Sequence, residues 1–202
     1  MNIAILGVGN IGGAVGKKWA RTGHSVIFGT RDANSAKAQA LRQAFPDAKI
    51  ESVAKSLEHA EAVLIAVPYA AVEATVKANA PALAGKIIID ATNKFGAPVV
   101  NNLKTIIAAL PTARVYRAFN SLGWELFENP QMNGGVADHF YCGADGETRM
   151  IVEKLISEVG NRPIWVGGSD LVGIVDAVGS LWVTLIFQRG YPRGIALKML
   201  ER

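Results

Sequence analysis

Ile3-Ala4-Ile5-Leu6-Gly7-Val8-Gly9-Asn10-Ile11-Gly12 is a short apolar run that passes directly into G-x-G-x-x-G. The order decides the fold. A strand ahead of the glycines and a helix behind them open a dinucleotide-binding βαβ unit. Gly7 permits the tight turn, Gly9 lets a pyrophosphate approach bare backbone, and Gly12 lets the helix lie close to the strand. Val8, Asn10 and Ile11 complete the turn, so all six residues are expected to meet the nucleotide. The helix beginning near Asn10 aims free N–H groups and the positive end of its dipole at the phosphates. A second strand, Ser25–Phe28, follows about 20 residues on, the spacing of a βαβ unit. The competing reading is a purely structural glycine turn, which the strand-before, helix-after setting disfavours.

The bulk composition agrees. The chain has 202 residues, 50% of them hydrophobic and 21 of them glycine, which suits a compact α/β enzyme with tight loops. A net charge of +4 is small and scattered, so it gives no reason to expect a nucleic-acid partner. The single cysteine, Cys142, lies in an apolar run, allows no internal disulfide and fits a reducing cytoplasm. It reads as a small core filler rather than a nucleophile. His24, His59 and His139 are dispersed without metal-ligand spacing, so no metal site is expected. Met1–Leu6 has neither a basic leader nor a long apolar core, so no signal peptide is expected. Leu171–Phe187 is the sole membrane suspect. It is short for a span and carries Asp176, so a helix buried in a core or dimer interface is the better reading.

Strands and helices alternate along the chain. Strands are expected at Ile3–Leu6, Ser25–Phe28, Lys49–Glu51, Ala62–Ala66, Lys86–Asp90, Arg114–Tyr116, Asp138–Cys142 and Pro163–Val166. Helices are expected from Asn10 through Ala20, near Ser35–Ala44, Ala54–His59, Ala70–Ala80, Val99–Ala109 and Glu147–Val159, and from Gly168 to about Phe187. Strands that are apolar throughout imply a mostly parallel, doubly wound sheet covered on both faces, the Rossmann fold. The expected organisation is a nucleotide-binding Rossmann domain over residues 1–166 and a small C-terminal helical extension over 167–202, which completes the active site or a dimer interface.

The end of the second strand selects the nucleotide. NAD-binding domains place an acid there to hold the adenine ribose. This chain reads Val26-Ile27-Phe28-Gly29-Thr30-Arg31. A carboxylate would repel a 2′-phosphate, whereas Thr30 donates a hydrogen bond and Arg31 offers a fork of donors. NADP(H) is therefore preferred over NAD(H), although Asp32 is also within reach of a ribose. Ser35 and Lys37, at the start of the next helix, are weaker candidates for the same phosphate. Ligands of such sheets lie at the carboxyl ends of strands. Ala66, Val67 and Pro68 end one strand, Asn93 follows another, and Ala118 and Asn120 follow a third. These complete the expected cofactor site, with turn asparagines as the competing reading of Asn93 and Asn120.

At these residues the sequence resembles the NADPH-dependent reductases of the deazaflavin coenzyme F420, over nearly its whole length. The resemblance rests on Gly7–Gly12, on Gly29-Thr30-Arg31, on Ala66-Val67-Pro68 and on the C-terminal Gly194-Ile195-Ala196-Leu197-Lys198. Arg117-Ala118-Phe119-Asn120-Ser121 is also similar to the cytosolic reductase domain of the six-transmembrane metalloreductases. The resemblance implies hydride transfer between nicotinamide and a stacked deazaflavin, in a homodimer. Phe119 stands where those reductases commonly carry histidine, which leaves FMN, FAD or another acceptor open beside F420.

No catalytic residue is assigned. Carbonyl reduction needs a proton donor such as Lys, His or Tyr. The related β-hydroxyacid dehydrogenases place a lysine in the helix that here reads Gly173-Ile174-Val175-Asp176-Ala177-Val178-Gly179-Ser180-Leu181. A flavin-type acceptor needs no such acid, because the ring itself stabilises the charge. Phe119, Leu122, Trp124, Trp182 and Phe187 are candidates for an apolar acceptor slot, although each reads more readily as core. Asp176 is expected to cap a buried group, to pair across a dimer or to face the site. The leading expectation is an NADPH-dependent oxidoreductase acting on a small-molecule flavin-type or F420 acceptor. The alternatives are a small imine or carbonyl reductase and a non-catalytic NADPH-binding redox sensor.

Overall fold

The computed structural model describes residues 1–200 and 202. The expected C-terminal extension includes Glu201, which lies outside them. The chain begins β1 (Asn2–Leu6), α1 (Asn10–Arg21), β2 (Ser25–Thr30), α2 (Ala36–Ala44), β3 (Lys49–Ser52), α3 (Val53–Leu57) and β4 (Ala62–Ile65). It continues through α4 (Val72–Ala78), α5 (Ala80–Leu83), β5 (Ile87–Asp90), α6 (Leu103–Ala109) and β6 (Arg114–Arg117). The last elements are α7 (Trp124–Glu128), β7 (Asp138–Gly143), α8 (Glu147–Glu158), β8 (Arg162–Trp165) and α9 (Val172–Arg189).

One sheet carries the strands in the order β3-β2-β1-β4-β5-β6-β7-β8. The first six are parallel, from Asn2 opposite Ser25 to Asp90 opposite Arg117. The mostly parallel Rossmann sheet is thus present. β7 runs antiparallel to β6, and β8 is parallel to β7. The change of direction follows from the connection: only α7 and loop lie between β6 and β7, without a full crossover helix.

Alternation along the strands builds two cores. Ile3 and Ile5 of β1, Leu64 of β4 and Ile89 of β5 join Trp19 and Phe28 on one face. Ala4, Leu6, Val63, Ile65 and Ile88 join Val72, Val76, Leu83 and Ile106 on the other. Both faces of the central strands are therefore buried, as near-continuous apolar runs require. Each fully buried Ile or Leu contributes about 1.5–3 kcal/mol of burial free energy.

Two expected helices differ. Ala70–Ala80 is divided into a 3₁₀ turn at Tyr69–Ala71, α4 and α5, with the break at Asn79 just ahead of Pro81. The helix expected from Val99 begins only at Leu103, because Asn101 Oδ1 accepts the Leu103 N–H at 2.8 Å and stops the helix there.

α9 is the long apolar helix, and Ser169–Arg189 is long and apolar enough to cross a membrane. In this fold it turns Val175, Asp176, Gly179, Trp182 and Ile186 inward and ends at Gly190, whose φ of 75° is left-handed. The segment after it returns along β7. Trp182 Nε1 donates to Ile195 O at 2.8 Å, Asp138 N donates to Leu197 O at 3.0 Å, and Met199 N donates to Asp138 Oδ2 at 2.7 Å.

Candidate nucleotide site

The turn after β1 is fixed by what its glycines lack. Gly7 has φ of 117°, and a Cβ there would lie 2.5 Å from Ala66 O. At Gly12 a Cβ would lie 2.7 Å from Gly7 O and 3.0 Å from Ile5 Cγ2, so α1 sits closer to the strand than any side chain allows. Gly9 is different: a Cβ there would meet nothing within 4 Å, so the open space lies on the ligand side. Gly9 also caps α1 without any side-chain hydrogen bond, and the first turn contains no acid. The positive end of α1 is left uncompensated by the protein, which is the arrangement that binds an anion.

Beside this turn is a cleft of about 460 Å³. Its walls are Gly7, Val8 and Gly9, then Gly29, Thr30, Arg31, Asp32, Ser35 and Lys37, then Val53, and finally Ala66, Val67, Pro68, Ala71 and Thr75. The carboxyl ends of β1, β2 and β4 therefore meet there. Of the expected residues it gathers Gly7, Val8, Gly9, Thr30, Arg31, Ser35, Ala66, Val67 and Pro68. Asn10 and Ile11 lie in the first turn of α1, outside the cleft, and Gly12 is buried beneath it. Val53, Ala71 and Thr75 were missed, although they follow strand ends, where ligands of these sheets are found.

The electrostatics at β2 favour a phosphate. Arg31 is exposed, and neither it nor Lys37 forms an ion pair among the described residues. Asp32 is turned back on its own loop, with Oδ1 accepting Asn34 N at 2.8 Å. Ser35 caps α2, accepting Ala38 N at 3.4 Å and donating to Asp32 O at 2.9 Å. Two free cations, a hydroxyl and a bare helix end thus fit a dinucleotide carrying an extra phosphate.

The ends of β5 and β6 are built in the opposite way. Arg117 is wholly buried, as is Asp90, and Asp176 is 6% exposed. Arg117 Nε and Nη2 both reach Asp176 Oδ1 at 2.9 Å. Its Nη1 donates to Asp90 Oδ2 at 3.2 Å and to Thr92 O at 2.5 Å, and Nη2 donates to Asn93 Oδ1 at 2.6 Å. Asn101 Nδ2 donates to Asp176 Oδ2 at 2.5 Å, and Asn120 Nδ2 donates to Asp176 Oδ1 at 3.4 Å. Asn93 Nδ2 closes the ring on Asn120 O at 3.0 Å. Asp176 is thus the α9 end of a buried ion network.

Asn93, Ala118 and Asn120 lie at these strand ends and outside the cleft. Ala118 is fully buried, and the Asn93 side chain is spent inside the network. Asn120 Oδ1 and the neighbouring Ser121 Oγ are buried without a partner.

The aromatic candidates are mostly core. Phe119 is buried with its ring edge-on to Trp19 and Phe127, at 5.6 and 5.5 Å between centroids. Its φ of 60° is left-handed, and its N–H donates to His139 Nε2 at 2.7 Å. His139 is fully buried, and burial pushes its pKa down to about 3, so it stands neutral as an acceptor. Leu122 and Trp182 are buried and Trp124 is half-buried, whereas Phe187 is 66% exposed, outside the core. Cys142 is buried, with its thiol pushed up to about 12 by burial, which makes it inert filler. Next to Pro68, Tyr69 donates its hydroxyl to Val99 O at 3.4 Å, and Lys94 Nζ lies 5.6 Å from the Tyr69 ring centre.

The chain is similar to several known proteins. Residues 2–94 match the family described as NADP oxidoreductase, coenzyme F420-dependent. A solved structure from Arthrobacter sp. FB24, described as an F420-dependent NADP reductase, superposes with a TM-score of 0.87 at 24% identity, covering 100% of both chains. An uncharacterised protein from Sinorhizobium meliloti gives 0.72 at 25% identity, covering 100% of this chain and 96% of that one. A reductive aminase from Aspergillus terreus, solved with NADPH and ethyl-5-oxohexanoate, gives 0.64 at 22% identity, covering 94% and 67%. These likenesses establish the α/β fold. G-V-G-N-I-G, Thr30-Arg31 and Ala66-Val67-Pro68 all lie inside residues 2–94, the stretch that is similar to the coenzyme F420-dependent NADP oxidoreductases.

Proposed function

We propose that the protein transfers hydride between NADP(H) and a ring acceptor of the deazaflavin or flavin type, F420, FMN or FAD. NADPH, when bound, supplies two electrons and a proton as hydride. The chain's own residues bind and orient. Backbone N–H groups of the Gly7–Gly12 turn and the bare end of α1 hold the pyrophosphate, and Thr30 and Arg31 hold the 2′-phosphate, with Ser35 and Lys37 beside them.

One observation carries the choice of acceptor. α9 turns a single ionisable side chain toward the strand ends, Asp176, and that side chain is committed to Arg117 and Asn101. No proton donor on this helix faces the reacting end, so the acceptor is one that stabilises its own charge and takes protons from water. Positioning and exclusion of solvent are then the protein's contribution. Tyr69, next to the cleft residue Pro68, and Lys94 over its ring favour a second reading, reduction of a small imine or carbonyl with Lys94 as proton donor.

The experiment is to incubate the protein with NADPH and, in turn, F420, FMN, FAD and a small cyclic imine, and to follow nicotinamide oxidation. Turnover with a ring acceptor is expected. Turnover with the imine alone would establish the second reading, and tight NADPH binding without any turnover would establish a redox sensor. We further propose a cytoplasmic homodimer, paired through the side of α9 that exposes Ile174 (56%) and Leu181 (47%). Sedimentation of the wild type and of Leu181→Glu would test it, with a monomeric wild type as the contrary result.

A further inference from the structure

The network beneath β5, β6 and α9 contains two carboxylates, Asp90 and Asp176, against one guanidinium, Arg117, all buried. Its formal charge is one negative unit in a low-dielectric setting. The place of that charge matters. A dinucleotide spans the carboxyl edge of a doubly wound sheet, with one half over each half of the sheet. The adenosine half belongs at β2, where Thr30 and Arg31 stand, so the nicotinamide half belongs over β4, β5 and β6. Asp90 ends β5 and Arg117 ends β6; Thr92 and Asn93 are the next polar residues along the first loop and Asn120 along the second.

A second observation points to a ligand there. Asn120 is 3% exposed, its Nδ2 is held by Asp176, and its Oδ1 has no partner. Ser121 Oγ, 2% exposed at the residue level, is also unpartnered. Buried acceptors left unsatisfied cost stability unless a ligand or water completes them. The nicotinamide carboxamide has N–H donors suited to such an acceptor.

We propose that the Asp90–Arg117–Asp176 cluster, acting through Asn120, makes this site bind the cationic oxidised nicotinamide in preference to the neutral reduced ring, and so sets the protein to spend NADPH. The inference rests on the proposed nucleotide site and adds the direction of transfer. In that direction one hydride, with its two electrons, leaves the dihydronicotinamide for the acceptor ring, which takes one proton from water. The nicotinamide is oxidised and the ring acceptor reduced. Tighter binding of the product form than of the reduced form makes bound NADPH the stronger reductant by linkage. Asp176 and Asp90 are positioning and field residues in this scheme, not catalytic ones.

The test is equilibrium binding of NADP⁺ and of NADPH, each alone, to the full chain. Wild type is expected to bind NADP⁺ at least as tightly as NADPH. Asp176→Asn removes one buried negative charge while keeping an acceptor for Asn101, and is expected to weaken NADP⁺ relative to NADPH by about fivefold or more. Asp90→Asn tests the same charge from the opposite side of Arg117, and Asp176→Glu restores the wild-type ratio. A purely structural role would weaken both nucleotides equally, and an unchanged ratio in the variants would overturn the proposal. So would a wild type that binds NADPH tenfold more tightly, a measurement that needs no variant. Failure of wild type to bind either nucleotide would instead overturn the proposed nucleotide site.

Discussion

The two halves of the carboxyl edge of the sheet are built on opposite principles. At β1 and β2 the candidate site is made of bare backbone: Gly7 and Gly12 are forced by contacts under 3 Å, Gly9 faces open space, and the cations Arg31 and Lys37 have no ion-pair partner among the described residues. At β5 and β6 nothing waits except Asn120 Oδ1 and Ser121 Oγ. Arg117 is ringed by acceptors from Asp90, Thr92, Asn93 and Asp176. The first half keeps its charges in solvent. The second half encloses its charges to fix loops and the C-terminal helix. Charge in the open half should therefore govern affinity for the nucleotide as a whole, and charge in the closed half should govern stability and the choice between the oxidised and reduced forms.

The largest effect should come from breaking the closed half. Arg117→Met leaves two buried carboxylates without their counter-charge and is expected to destabilise the fold by about 3–5 kcal/mol. Denaturant unfolding reads it directly. A loss under about 1 kcal/mol would mean that the network is not what fastens α9 to the sheet.

Next comes the histidine behind Phe119. His139 is neutral in the folded chain, with a pKa near 3, and takes up a proton below 6.5 once unfolded. The unfolded state then binds more protons, so its contribution to stability is complete above pH 6.5. It should fall by about 1.4 kcal/mol per pH unit as pH drops from 6.5 toward 3. Unfolding midpoints of wild type and His139→Gln should converge on acidification. Parallel pH profiles for the two would show that the imidazole is not held neutral.

The smallest effect on folding, and the sharpest on binding, belongs to the open half. Arg31→Ala should change stability by no more than about 0.5 kcal/mol. It should weaken NADPH by about 1.5–3 kcal/mol, the value of a hydrogen bond to a charged group, and leave NADH nearly unchanged. Titration with both nucleotides measures the difference. Equal losses for NADH and NADPH would remove Arg31 from the 2′-phosphate site.

Legibility in the sequence follows the same division. The strand, glycine turn and helix at 2–21 are one contiguous signal, and Thr30-Arg31 declares itself by replacing an expected acid. The central strands were readable because both faces are buried and each is apolar throughout. β6 was expected over Arg114–Tyr116. It runs on to Arg117, whose charge is met by Asp176, 59 residues along the chain. α7, five residues long, is too short to show a period. The reversal at β7 was illegible because hydrophobic pattern reports burial, not direction. Of the candidates for an acceptor slot, Phe119 and Leu122 belong to the core around Trp19 and Phe127, and Trp182 joins it from α9.

The sequence by itself determined the glycine turn between β1 and α1 and the two-faced burial of the sheet, and it set the expectation of a 2′-phosphate at Thr30 and Arg31. Each depends on residues within one turn or one strand, where backbone geometry and alternation act locally. Only the tertiary structure decided the role of Asp176, the place of Arg117 and the conformation of Phe119. The physical reason is the same in each case. A buried charge is tolerable only beside its partner, and a left-handed phenylalanine only where a distant histidine accepts its N–H. Those partners are brought together by strand order and by the return of α9, which no local pattern encodes.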